Sequence, residues 1–189
     1  VRTRVGYAGG TTRDPTYHDI GDHSESFQLD YDPTKITYEQ LLAIFWSSHA
    51  PTQSVWSTQY RCAIFFASEA QERLAKKSRD EVRAKLGGRA VTTAIERLDR
   101  FYLAEDYHQK YGLQIHEEIA RELHAIYPDM RDFTNSTAAA RVNSWLSGHG
   151  DRALFAKEIG DVGLSKAAQD ALRARMGEEE SRGCSAGGE

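Results

Sequence analysis

Only two cysteines occur in the sequence, Cys62 and Cys184, too few for a disulfide scaffold and without metal-ligand spacing between them. Each is therefore read as a single thiol. No sign of charge dominates: 24 Lys and Arg stand against 28 Asp and Glu, a net charge of -4, so no basic field exists to recruit nucleic acid or an anionic membrane. No apolar run approaches the length of a membrane span, and no basic-then-apolar leader opens the chain, so a soluble, cytoplasmic monomer is the expectation. The segment Gly6-Tyr7-Ala8-Gly9-Gly10 has neither GxGxxG nor GxxxxGK spacing, which excludes a dinucleotide or phosphate loop. His108 has no histidine three or four residues on, so a metal site is not expected either. No cofactor is called for.

What is present is enough chain, 189 residues, for one hydrophobic core with an appended helical segment. The chain opens inside a strand-like alternation, Val1, Thr3 and Val5 against Arg2 and Arg4, and is expected to continue upstream of Val1. A long polar loop follows, through Asp14-Pro15-Thr16-Tyr17 to Gly21-Asp22-His23, of a length often kept for function. Glu25 to Tyr31 alternates as a half-buried strand, with Phe27, Leu29 and Tyr31 on the Glu25 face. Thr37-Tyr38-Glu39-Gln40 fits a capping box, opening a helix that Pro51 closes. Gln59 to Ala67 reads as a strand with Tyr60, Cys62, Ile64 and Phe66 on one face; Glu69 to Leu86 reads as a helix ending at Gly87-Gly88; Val91 to Ile95 reads as a further strand. This order predicts an α+β fold, a mixed or antiparallel sheet with helices packed on it. From Ile115 onward the pattern is helix after helix, with caps at Asn135/Ser136, Asp151 and Ser165, and from about Glu178 a charged, glycine-rich tail.

Among residues able to do chemistry, Glu25 stands out. A carboxylate at the end of an apolar strand face is partly desolvated, which disfavours its charged form and lets it carry a proton at neutral pH. The plain alternative is a strand-end glutamate facing solvent or pairing with an arginine. Tyr7, Tyr17, Tyr60, Tyr107 and Tyr111 each offer a neutral hydroxyl to a pocket, or simply area to a core or its rim. Cys62 reads first as a small buried apolar residue, and Cys184 as a thiol on a flexible tail.

Taken in order, Val5 to Gly10, Asp14-Pro15-Thr16-Tyr17, His23-Ser24-Glu25, Tyr31-Asp32-Pro33, Phe45-Trp46, Pro51-Thr52, Gln59-Tyr60-Arg61 and Ala104 to Gln109 with Tyr111 resemble methionine sulfoxide reductase A. The resemblance covers residues 1 to 113, and the later part, 114 to 177, is similar to a subgroup with a helical C-terminal extension; 178 to 189 forms the tail. It implies a ferredoxin-like roll and thiol-dependent reduction of methionine S-sulfoxide, free or in proteins, as protein repair under oxidative stress. It also implies a mechanism: a cysteine attacks the sulfoxide sulfur, the oxygen leaves as cysteine sulfenic acid, a second thiol condenses to a disulfide, and thioredoxin reduces it. Carried over residue by residue, Glu25 is the proton donor, Tyr17 and Tyr60 hold the sulfoxide oxygen, and Tyr111 lies at a further pocket position.

The departures matter as much. The family's Gly-Cys-Phe-Trp turn would fall just before Val1, so the nucleophile is expected upstream and this chain alone is expected to be inactive. The family's aspartate between Pro51-Thr52 and Gln59 has no counterpart among Ser54, Val55, Trp56 and Ser57, which makes Trp56 the candidate to rebuild that wall. Cys184 is the candidate resolving thiol, with Cys62 as substitute. Two competing readings remain: a non-catalytic module that recognises sulfoxide or acts through its helical part, and a thiol switch between Cys62 and Cys184.

Overall fold

The computed structural model describes residues 1–185, with side chains described through Met176. Five strands, β1 (Arg2–Ala8), β2 (Ser24–Asp30), β3 (Ala63–Phe66), β4 (Ala94–Arg97) and β5 (Phe101–Leu103), accompany eight α-helices among the described residues. These are α1 (Tyr38–Ser47), α2 (Glu69–Lys85), α3 (Tyr111–Gln114), α4 (Glu117–Ile126), α5 (Met130–Asn135), α6 (Thr137–Leu146), α7 (Arg152–Glu158) and α8 (Lys166–Ser185). Two compact units result, Val5–Glu105 and a helical one made of Val1–Arg4 with the described residues from Asp106 onward.

The first unit is α+β. One sheet has the order β2-β1-β5, with β1 and β5 antiparallel and Tyr7 opposite Tyr102; the other is the parallel pair β3-β4, Ala63 to Phe66 against Ala94 to Arg97. Parallel pairing needs a crossover, and α2 supplies it. Gly6 is required where β1 meets β5, because a Cβ there would run into the Tyr102 carbonyl. Helix α1 starts where the sequence places it: Thr37 accepts from the Gln40 amide while the Gln40 side chain accepts from the Thr37 amide, satisfying two orphan groups reciprocally. Leu42 and Trp46 of α1 pack with Ile64 and Ala75, and the Trp46 indole N–H donates to Ser78 Oγ at 2.9 Å, so the ring is buried with its polar atom satisfied.

Three strand expectations shift. Gln59 to Ala67 is not one strand: Thr58–Tyr60 forms a 3-10 turn and only Ala63–Phe66 is extended. The turn breaks the alternation, so Ile64 and Phe66 are buried while Tyr60 is exposed. The expected strand at Val91 to Ile95 begins at Ala94, where pairing with β3 starts. On β2 the start of the strand departs from the expected faces: Ser24 is buried and Glu25 and Phe27 are exposed, while Leu29 and Tyr31 are half-buried. Period-two alternation identifies two faces without saying which is covered.

The helical unit has its own core, in which Leu113, Leu123, Phe133, Val142 and Leu172 have no exposed surface. Its helices start at the expected caps: Ser136 accepts from the Ala139 amide, Asp151 from Leu154 and Ser165 from Ala168. Helix α8 carries regular backbone to Ser185, beyond the point where a tail is expected. The compact units divide at Glu105/Asp106, with Leu113 buried in the helical core and Lys110 of the same unit holding Thr3. Burial, with Arg4 adding repulsion, lowers the Lys110 ammonium to about 8. No helix among the described residues is long and apolar enough to cross a membrane.

Candidate active site

The loop between β1 and β2 is latched at its base. Gly9 begins it in a left-handed conformation (φ +81°), close against the Phe65 ring, where no other residue type fits without displacing the ring. The Asp22 carboxylate then accepts from both the amide and the hydroxyl of Thr11 and of Thr12, at 2.8 to 2.9 Å. Those bonds, Thr12's first, hold the Asp22 carboxyl far below the usual carboxylate range. His23, 1% exposed, accepts from the Gly10 amide at Nδ1, 3.1 Å; its ring proton is therefore on Nε2, which donates to the Thr12 carbonyl at 2.8 Å.

Tyr17 lies on this loop, partly exposed, and is fixed through its backbone. Its amide donates to Glu105 Oε1 at 2.9 Å, while Glu105 Oε2 accepts from the hydroxyl of the buried Tyr7 at 2.7 Å. Glu25, one residue into β2, accepts from Gln59 Nε2 at 2.7 Å. Its neighbour Ser24 donates through Oγ to the Thr58 carbonyl at 2.9 Å, so the start of β2 and the Thr58–Tyr60 turn lie side by side. The structure thus brings the segments of Glu25 and Tyr60 together. It does not bury Glu25: the residue is exposed, and the desolvation expected from its strand face is not met, because that face is open at Glu25 and Phe27.

A groove of about 860 Å3 lies beside these segments, lined mainly by β2, α1 and β3 and including Glu25, Phe27, Phe45, Cys62 and Phe65. Strand β2 ends the order β2-β1-β5, and β3 is one of the two strands of the parallel pair. Burial, aided by Tyr31, raises the Tyr38 hydroxyl above its ordinary value where it lines the groove. Cys62 is a free thiol of intermediate exposure.

The remaining expected residues fare differently. Trp56 is 97% exposed and is not among the residues that line the groove. The loop is tied at its start, by Thr92 Oγ1 donating to the Pro51 and Gln53 carbonyls, and at its end by the Thr58–Tyr60 turn, which leaves Trp56 projecting between. Tyr111 is exposed at the first residue of α3 and belongs to the helical unit. The Cys184 side chain lies outside the described residues. Among the described residues no group of three His, Cys, Asp or Glu is arranged to hold a metal ion. Sequence reasoning passed over Asp22, His23, Ser24, Arg61, Glu96 and Glu105, although four of them lie in the motifs that carried the resemblance.

The model of one protein family, peptide methionine sulfoxide reductase, matches residues 1–141. The chain belongs to that family. Among its relatives, the peptide methionine sulfoxide reductase of Drosophila melanogaster is 37% identical over 166 residues, covering 87% of this chain and 66% of the relative. Peptide methionine sulfoxide reductase A5 of Arabidopsis thaliana is 46% identical over 121 residues, covering 61% of this chain and 48% of the relative. Solved structures agree on the fold: reduced Mxr1 of Saccharomyces cerevisiae superposes with a TM-score of 0.56 at 32% identity, covering 61% of this chain and 71% of that one. Methionine sulfoxide reductase A of Corynebacterium diphtheriae gives 0.52 at 35% identity, covering 59% and 62%. This reductase-family chain therefore spans about half to two thirds of the curated relatives named here. The family match ends inside α6, so the first helices of the helical unit fall within it.

Proposed function

We propose that the protein reduces methionine S-sulfoxide, free or in polypeptides, to methionine, with Glu25 as proton donor and Tyr17 and Tyr60 as the hydroxyls that hold the sulfoxide oxygen. The observation that carries this reading is the Glu25–Tyr60 neighbourhood at the edge of an apolar groove: Gln59 donates to Glu25, Ser24 to Thr58, and Glu25 lines the groove. The nucleophile in this proposal is a cysteine supplied by residues upstream of Val1 and received in the groove.

The chemistry needs these residue types. Sulfoxide oxygen is a poor leaving group until it is protonated, and a carboxylic acid within reach delivers that proton. Tyrosine hydroxyls stabilise developing charge without neutralising a nearby thiolate. The thiolate attacks sulfur, the proton from Glu25 turns the oxygen into a hydroxyl, and that hydroxyl passes from the methionine sulfur to the cysteine sulfur as the transient S–S bond breaks, releasing methionine and leaving cysteine sulfenic acid. Condensation with a second thiol, for which Cys184 is the candidate, expels water and leaves a disulfide; a thioredoxin-like dithiol reduces it. The same reading has the protein working as a cytoplasmic monomer.

The test is to express the chain with its native upstream residues and to offer peptides carrying the S or the R sulfoxide together with dithiothreitol. Reduction of the S form and not the R form is expected. Binding of the S form by calorimetry without turnover would favour a sulfoxide-recognising module instead, and a disulfide between Cys62 and Cys184 under mild oxidation would favour a thiol switch.

A further inference from the structure

We infer that Arg61 is a positioning residue that sets the separation of Glu25 and Tyr60, and this rests on the functional reading of those two side chains. Arg61 follows the Thr58–Tyr60 turn directly, and its guanidinium is used on two sides. Nε donates to Ser24 Oγ at 2.8 Å, and the two terminal nitrogens donate to Glu96 Oε1 at 2.6 Å and Oε2 at 2.7 Å. Glu96 is on β4 and Ser24 on β2, so one side chain joins the two sheets of its unit. Ser24 is 1% exposed, and its hydroxyl is fully committed, accepting from Arg61 and donating to the Thr58 carbonyl.

The fork also lies close to Phe65 and Gly9. Its central carbon lies 5.8 Å from the centroid of the Phe65 ring, and a Cβ on Gly9 would stand 2.7 Å from one of its nitrogens. The start of the β1–β2 loop therefore leaves room for this guanidinium. Half-exposed ion pairs contribute little to stability on their own, so the value of this one lies in geometry. A planar fork with five donors fixes direction and distance at once, which a lysine ammonium on a flexible stem does not do.

The consequence follows from chain adjacency. Ser24 is bonded to Glu25 and Arg61 to Tyr60, so the Nε–Oγ bond is one residue from each reacting side chain on its own strand or turn. Loss of that bond lets the turn slide along β2 with Gln59, the residue that holds Glu25. Misplacement of reacting groups by about 1 Å can cost on the order of 100-fold in rate.

The experiment uses the complete gene product and measures kcat and KM for a peptide methionine S-sulfoxide in four forms: wild type, Arg61→Lys, Glu25→Gln and the double variant. The expected result is a kcat lowered by about 10- to 100-fold in Arg61→Lys with KM little changed, and a much smaller effect of the same change in the Glu25→Gln background. A purely structural role would lower the rate by the same factor in both backgrounds, and that additivity would overturn the inference while leaving the functional reading intact. An unaltered kcat in Arg61→Lys, with Glu25→Gln impaired, would do the same. An unimpaired Glu25→Gln protein would sink the functional reading and the positioning role with it. Ser24→Ala, which removes the Nε acceptor and with it the donor to the Thr58 carbonyl without touching charge, replaces Arg61→Lys in the cycle if that variant does not fold, with the same expected coupling.

Discussion

Lys110 gives the helical unit a pH dependence of known sign. Its side chain is 5% exposed, held by the Thr3 carbonyl and by Thr3 Oγ1 at 2.7 Å, and it is lowered from 10.5 to about 8, first by burial and then by Arg4. Below about 8 the amine is charged in both the folded and unfolded chain; between about 8 and 10.5 the unfolded chain holds a proton the folded one has released. Stability therefore rises with pH across that window, by about 3 kcal/mol at full extent. Lys110→Met removes the titrating group and keeps much of the stem. Urea unfolding of both proteins at intervals from pH 7 to pH 10.5 gives the difference in unfolding free energy, in which the contributions of other titrating groups cancel. That difference is expected to be level up to about pH 7.5 and to climb in favour of the lysine protein by about 2 to 3 kcal/mol toward pH 10. A difference that stays flat within about 0.5 kcal/mol would refute the reasoning.

Asp22→Ala is expected to release the loop base without changing the global unfolding midpoint, seen as hydrogen exchange at the Thr11 and Thr12 amides accelerated by an order of magnitude or more. Because those bonds depress the Asp22 carboxyl, the latch persists through mild acid and is lost only as pH falls through its lowered value, so in the wild-type protein both amides remain protected at pH 4. Leu123→Ala in the helical core is expected to cost about 2 to 5 kcal/mol by denaturant unfolding, since the side chain has no exposed surface and leaves a cavity.

Local chemistry was the legible part of the sequence. The Thr37–Gln40 capping box, the Ser136, Asp151 and Ser165 caps and helix α2 rest on neighbours in the chain, and the structure has them where the pattern indicates. Features that depend on distant partners were not legible. Which face of β2 is covered is decided by packing, so Glu25 and Phe27 were expected inside and are outside. Tyr60 lost its expected face because a 3-10 turn precedes β3, and β5 is only three residues long, too short to show a period. The candidate site follows the same division: Glu25, Tyr17 and Tyr60 were named from motifs, whereas the groups that hold them, Glu105 for Tyr17 and Arg61 with Glu96 for the Glu25–Tyr60 pair, are joined by bonds across 35 to 88 residues. Spacing along the chain carries no signal for such bonds.

The central claim is that the Glu25 carboxyl delivers the proton on which S–O cleavage depends. Its most direct test is a single-turnover measurement of sulfenic acid formation by the complete gene product, wild type against Glu25→Gln, with sulfoxide affinity measured alongside. The account predicts a rate lowered by about 100- to 10,000-fold with affinity largely unchanged; an equal rate in the two proteins would contradict it.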